Sequence, residues 1–391
     1  MQRNGDEMRR MIGPALLIGM VLLVTASSCS GPANMPTISP PAPIAPSIAP
    51  TETSMPSASS IPAAPAASGR IELPYRVISP PIIDDDSIYW QPSDDRLVRQ
   101  SLDSGSSAPP ETVVTSLYPG GRIDLLPMQL VDNRVIFVDM PATLQGTSSE
   151  WMVRSVDLVT HSSQVIFHDN GATAIYSFAV DSTWLAMALD DGRSRPTCPS
   201  GDAILAVVNL NSGAYQEIDR QCFLQVEWSE VALTGDRLFA TKITPKTNAF
   251  EIVLVNLKDR STQPFGPSLA APPSGLLAAQ GAWVAWDTAG GTFLDNLANG
   301  EQQLIAPTAD SGPLEYPVLR GRWLYWSMWE SGSKIVVYDL VGKDMKILAV
   351  PGENEMVWNP AIFANTIAWV RDLQSDQATS ASYIEWTTLN P

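Results

Sequence analysis

Histidine and cysteine are nearly missing from this 391-residue chain, which holds two of the first and three of the second. His161 and His168 have no third or fourth ligand at a fitting spacing, and neither a His-Glu-x-x-His nor a Cys-x-x-Cys pair occurs. The sequence therefore points to no metal site and no cofactor. A Gly-x-Ser-x-Gly elbow, a phosphate loop and a dinucleotide fingerprint are also missing, so nucleophilic and nucleotide chemistry have no foothold in it. Basic residues are scarce: 24 Lys and Arg stand against 41 Asp and Glu, for a net charge of −17. Nucleic acid and anionic lipid surfaces both call for clustered cations, so neither is an expected partner. The acids are scattered and read as solubility. Helical periodicity is lacking after the N-terminal segment, with no long stretch of apolar residues at i, i+3, i+4 and i+7.

What is present begins with Arg3, Arg9 and Arg10, an apolar stretch from Met11 to Val24, and Ala26-Ser27-Ser28 directly before Cys29. That is the layout of an export signal, too short to span a bilayer comfortably. Small residues before a lone cysteine resemble the lipobox of bacterial lipoproteins, with Ala26 where leucine is commoner. The resemblance implies that residues 1–28 are removed and that Cys29 is lipidated, anchoring the exported chain to a bacterial membrane. An ordinary secretory signal or an uncleaved anchor is the alternative, and either still exports the remainder of the chain. Residues 29–68 read as a tether: ten prolines fall between residues 30 and 69, and Glu52 is the only charged side chain there. Such a stretch buries too little to offset its ordering entropy and extends as polyproline II, reaching up to ~120 Å at ~3.1 Å per residue.

A seven-fold rhythm occupies residues 69–391. Its first beat is a turn residue followed by an apolar run, as in Asp86-Ser-Ile-Tyr-Trp90, Asn133-Arg-Val-Ile-Phe137, Ser182-Thr-Trp-Leu-Ala186, Asp236-Arg-Leu-Phe-Ala240, Gly281-Ala-Trp-Val-Ala285, Gly321-Arg-Trp-Leu-Tyr325 and Asn365-Thr-Ile-Ala-Trp369. The second beat is a polar residue followed by leucine, at Leu102, Leu158, Leu210, Leu257, Leu297, Leu340 and Leu389. Successive anchors are 47, 49, 54, 45, 40 and 44 residues apart, the period of four-stranded propeller blades. The fold class is therefore all-β: a seven-bladed β-propeller of four-stranded antiparallel blades. The seventh second beat lies next to Pro391, leaving blade 7 short of an outer strand. Residues 69–77 are expected to supply it and to close the ring, which removes exposed sheet edges.

The rhythm of an apolar run after a turn, followed by an Asp-Leu-x-x-Gly-like turn, resembles the TolB-like and WD-repeat-like bacterial propellers over residues 69–391. Trp228-Ser229 and Trp358-Asn-Pro360 stand as remnants of the TolB-like blade signature, and Trp286-Asp287 as a single WD pair. The resemblance implies a scaffold rather than an activity.

Within the repeats, Cys198 and Cys222 fall in one blade on loops at the same face. An exported, oxidising setting favours a Cys198–Cys222 disulfide pinning the insertion at 190–201, with two free thiols as the alternative. Asp84-Asp85-Asp86, Asp94-Asp95 and Asp190-Asp191-Gly192 sit where turns are expected, and turn hydrogen bonding explains them ahead of calcium or catalysis. Twelve tryptophans outnumber either tyrosine or phenylalanine. Trp90, Trp184, Trp283, Trp323 and Trp369 lie in anchor strands and read as packing between blades. Trp286, Trp326 and Trp329 are expected to form an exposed binding surface, because the run 323–329 carries aromatics off its strand. A lid packed over the barrel end is the alternative. The expected function is a membrane-anchored, extracytoplasmic binding or scaffolding module for an envelope protein or polysaccharide. The competing reading is a carbohydrate-active hydrolase or lyase with carboxylates at the channel mouth.

Overall fold

The computed structural model describes residues 68–389, apart from 76, 78, 94, 103–108, 142–149, 172, 248, 270–276, 289–290, 308–313, 329–333 and 374–381. The signal segment, Cys29, the tether and Trp329 lie outside the described residues.

Seven four-stranded antiparallel sheets succeed one another along the chain. The first strands of successive sheets adjoin around the axis, which makes them the inner strands. Every sequence anchor opens the second strand of its sheet, from Ser87–Ser93 in blade 1 to Thr366–Leu373 in blade 7. Every second-beat leucine comes directly after the third strand.

One hydrogen bond links the two beats. The backbone N–H of the second-beat leucine donates to a carbonyl of the anchor turn in all seven blades: Leu102 to Asp86, Leu158 to Asn133, Leu210 to Thr183, Leu257 to Asp236, Leu297 to Ala282, Leu340 to Arg322 and Leu389 to Asn365, at 2.6–2.8 Å. The polar residue before the leucine shapes the next hairpin. Asp157, Asn209, Asn256, Asn296 and Asp339 each accept through their carbonyl from the N–H four residues on. That position is left-handed in every case, held by Gly213 and Gly300 and by the non-glycine residues His161, Arg260 and Lys343. A repeated turn geometry thus explains a repeated sequence pattern.

The second strands are apolar on both sides because each is packed between two blades. Side chains alternate between the two neighbouring layers: Val284 and Trp286 face blade 4, while Trp283 and Ala285 face blade 6. Seven such apolar layers exist, one at each junction between blades. Anchor tryptophans also tie blades through their N–H groups. Trp184 donates to Asp236 of blade 4 at 3.4 Å, and Trp323 donates to Asn365 of blade 7 at 3.2 Å.

The ring closes inside blade 7. Strand Ser68–Leu73 pairs antiparallel with Ser382–Thr388, in register from Ser68 opposite Thr387 to Leu73 opposite Ser382. Ile71, Leu73 and Val77 enter the layer shared with blade 1, beside Ile88, Trp90, Val370 and Ile384. A polar latch adds to this: Val77 N–H donates to Ser382 Oγ at 3.0 Å, Ser382 in turn donates to Asp372, and Trp358 Nε1 donates to the other Asp372 oxygen at 3.0 Å.

Candidate functional site

Anchor turns and leucine turns share one end of the ring, so the opposite end carries the loops joining second to third strands and outer to inner strands. Between blades 3 and 4 the described loops at that end, 192–201 and 223–226, adjoin an unusual group of side chains. The inner strand of blade 3, Ala174–Val180, skips a register between Ile175 and Ser177, leaving Tyr176 bulged and 49% exposed. The inner strand of blade 4, Glu227–Thr234, skips between Trp228 and Val231, which frees Ser229 and Glu230 from pairing. Bulges re-aim side chains, and here they bring polar groups into the channel wall.

Two carboxyl groups, Asp190 and Glu227, interact there, and a third, Glu230, lies deeper along the inner strand of blade 4. Asp190, next to the end of the second strand Trp184–Asp191, accepts from the Tyr176 hydroxyl at 3.2 Å, while its other oxygen is buried without a partner. Burial raises its pKa, and Asp191 beside it adds to the rise. Glu227 is raised by burial and then by the like charge of Asp190. Glu230 accepts from Ser177 Oγ at 3.1 Å and is pushed up to about 8 by desolvation. Glu230 is half-buried, crowded by neighbouring atoms but open to solvent on one side. Above the acids the Tyr176 and Phe223 rings lie stacked, with centroids 6.4 Å apart, and the neighbouring Leu224 is 56% exposed.

Behind this mouth, Cys198 and Cys222 are joined in a disulfide with Cα atoms 5.4 Å apart. It fastens the 192–201 loop to the end of the outer strand Ala214–Cys222, from which Phe223 and Leu224 emerge. Asp191 faces the opposite way from Asp190. It receives Arg193 Nε at 2.7 Å and Arg220 Nη1 at 3.0 Å, and these guanidinium groups hold its pKa well below the ordinary carboxylate range. Arg195 and Arg220 also bind Asp202, at 2.6 and 3.0 Å. The adjacent aspartates thus have opposed roles: one fixes a loop, and the other faces the mouth.

The tryptophan surface expected from the sequence is corrected. Trp286 is fully buried, stacked on Phe293 and edge-on to Phe265 with centroids 5.6 and 5.5 Å away. Trp326 is fully buried between blades 5 and 6, among Leu294, Leu324 and Val336. The strands Trp283–Thr288 and Trp323–Met328 extend past these residues, so both are interior strand positions and not loop positions. The histidines stand apart, His161 3.6 Å from Glu111 and His168 3.9 Å from Glu150. Among the described residues, no group of three or more His, Cys, Asp or Glu side chains is placed to hold a metal ion. Asp84 performs turn chemistry, accepting from the N–H groups of Asp86 and Ser87 at 3.1 and 2.8 Å and from the Tyr89 hydroxyl at 2.7 Å. Sequence reasoning missed Tyr176, Glu227 and Glu230. Their signal was the interruption of strand alternation at Tyr176-Ser177 and Ser229-Glu230.

No protein-family description matches the chain, and no curated protein matches its sequence. Its likeness is to solved propeller structures. A prolyl endopeptidase superposes with a TM-score of 0.55 at 12% identity, over 75% of this chain and 45% of that one. The acylaminoacyl peptidase of Pyrococcus horikoshii gives 0.52 at 12% identity, over 76% and 49%. The propeller domain of the Trilobed protease from Pyrococcus furiosus, described as having an open Velcro topology, gives 0.51 at 11%, over 76% and 91%. The chain thus spans about half the length of the two peptidases, and at these identities the likeness defines a class of fold, the seven-bladed β-propeller.

Proposed function

We propose that this protein is an exported recognition module that binds a cell-envelope polysaccharide at the mouth between blades 3 and 4, and that Cys29 and the 29–68 segment tether it to a membrane. The observation that supports this most is the Tyr176–Phe223 ring pair beside Asp190 and Glu227, with Glu230 deeper on the same inner strand as Glu227. Aromatic faces stack on the apolar faces of sugar rings, and carboxyl groups beside them take hydroxyl hydrogen bonds. The disulfide keeps Phe223 in place in the unliganded ring, which lowers the ordering cost of binding.

Hydrolase or lyase chemistry draws on the same acids but needs environments that push a pair of carboxyls apart, one protonated and one ionised. Desolvation raises all three, Glu230 furthest, to about 8, so the acids alone suit either chemistry, and the aromatic pair beside them favours binding. The test is affinity electrophoresis of the full-length protein in gels containing envelope polysaccharides, with Tyr176→Ala and Glu227→Gln as variants. Retardation that both variants lose supports the reading. Retention of a protein partner with no glycan retardation overturns it, and release of reducing or unsaturated ends moves the site to the enzymatic class.

A further inference from the structure

At the other end of the channel, Arg320 has no task in the mouth. It is the last residue of the inner strand of blade 6, Leu314–Arg320. Its Nη1 reaches across the axis to the Leu130 carbonyl in the inner strand of blade 2, at 3.4 Å. The guanidinium carbon lies 5.1 Å from the centroid of the Phe363 ring. Blades 2 and 6 stand on opposite sides of a seven-membered ring, so this side chain crosses the channel where the inner strands end.

Other arginines of the fold have carboxylate partners: Arg154 has Asp139 at 2.6 Å, Arg322 has Asp339, and Arg371 has Glu355 and Glu385 at 2.5 and 2.9 Å. Arg320 has none among the described residues. Burial pulls its basicity down, and among the described residues the buried Tyr325 phenol is the group that acts on it electrostatically. A half-buried cation without a counter-charge is costly to hold, and one long hydrogen bond with one aromatic face offsets little of that cost. Nη1 bonds to Leu130, and the other guanidinium donors stay within reach of water in the channel, open to a ligand. Glu230 stands four residues before the end of its own inner strand, which places it roughly 13 Å along the axis from the level of Arg320.

We propose that Arg320 is the floor of a blind ligand site in the central channel, where its guanidinium binds the anionic group, a carboxylate or a phosphate, of a slender ligand entering from the blade 3–4 mouth. A planar anion meets the guanidinium fork with two parallel hydrogen bonds and replaces the long contact to Leu130. The site does not depend on the glycan reading, because stacking at Tyr176 and Phe223 needs no charge at the floor.

Thermal shift and calorimetric titration of the full-length protein test it, with inorganic phosphate, glucuronate and, as neutral control, glucose, at one ionic strength set by chloride. The expected result is saturable binding of at least one anion, no shift with glucose, loss of at least tenfold in affinity in Arg320→Gln and a smaller loss in Arg320→Lys. Which anion binds tells carboxylate from phosphate. In chloride alone Arg320→Gln melts no lower than the parent, because an unpaired cation has gone. Tyr176→Ala keeps the anion affinity within about twofold, which separates this site from the mouth. Undiminished anion binding in Arg320→Gln overturns the proposal. So does a lower melting point for that variant in a protein that binds neither anion, which would make Arg320 a strut between blades 2 and 6.

Discussion

Replacing Ile71 and Leu73 together with alanine tests how the ring is held shut. Both side chains are at most 9% exposed and lie in the layer between blades 7 and 1. Truncating a buried Ile or Leu costs about 2–5 kcal/mol, and an outer strand that can relax belongs near the lower end. The two residues share one cavity, so the pair is worth about 4 kcal/mol rather than a full sum. At 1.4 kcal/mol per factor of ten, detachment of Ser68–Leu73 becomes easier by about three decades. The strand can leave while the other six blades stay folded, so the loss is read locally, by native-state hydrogen exchange. Amides of Ser382–Thr388 that bond to the closing strand should exchange ~1,000-fold faster, while those of Trp184–Asp191 in blade 3 keep their protection. Unchanged exchange in Ser382–Thr388 would refute the burial reasoning, and equal acceleration in blade 3 would refute the locality.

The same packing and electrostatics set three other outcomes. Trp326→Ala should lower the unfolding free energy by about 3–5 kcal/mol in urea titrations, since it empties an interblade layer; a change under about 1 kcal/mol would mean that the side chain is not packed there. Removing the Cys198–Cys222 bond, which spans 24 residues, through a Cys198→Ser, Cys222→Ser double variant should cost about 3.5 kcal/mol and make the melting temperature insensitive to reductant. Glu230 has a folded pKa raised to about 8 over an unfolded value near about 4.3, so the folded state holds the extra proton and its stability falls as pH rises between the two values. Glu230→Gln should match the parent at about pH 4.5 and exceed it by about 2 kcal/mol at pH 8, after allowance for the accessible part of the side chain; parallel pH profiles would contradict the desolvated carboxyl.

The architecture was legible because the blade repeats its chemistry. Each anchor turn, its apolar strand and its leucine turn are one hydrogen-bonded unit, and each copy solves the same packing problem between two neighbours. The closing strand was legible by subtraction, since Gly69-Arg-Ile-Glu-Leu-Pro-Tyr75 had no other place in a ring of four-stranded sheets. The site was not legible for the converse reason. Channel-facing residues are free of the packing constraint, so Tyr176, Glu227 and Glu230 recur in no other blade and leave no period to detect. Trp286 and Trp326 misled because a tryptophan in a strand buried on both faces has the same sequence neighbours as one at a strand end. Only the continuation of those strands to Thr288 and Met328 separates the two. Asp190-Asp191 shows the limit of composition: adjacent identical residues point to opposite sides of a strand, one to arginines and one to the mouth.

Ser68 lies opposite Thr387, so the described chain enters and leaves the ring side by side at one rim. The order of blades along the polypeptide is then a cyclic order with an arbitrary cut. A chain joined across this seam and reopened at the exposed hairpin of blade 5, where Asn299 and Gly300 turn into the outer strand Glu301–Pro307, contains the same seven layers in the same sequence around the axis. Such a permuted protein should fold to the same propeller with its ends moved to blade 5. What changes is where the described ends lie: in the natural order both are in blade 7, across the ring from the mouth between blades 3 and 4.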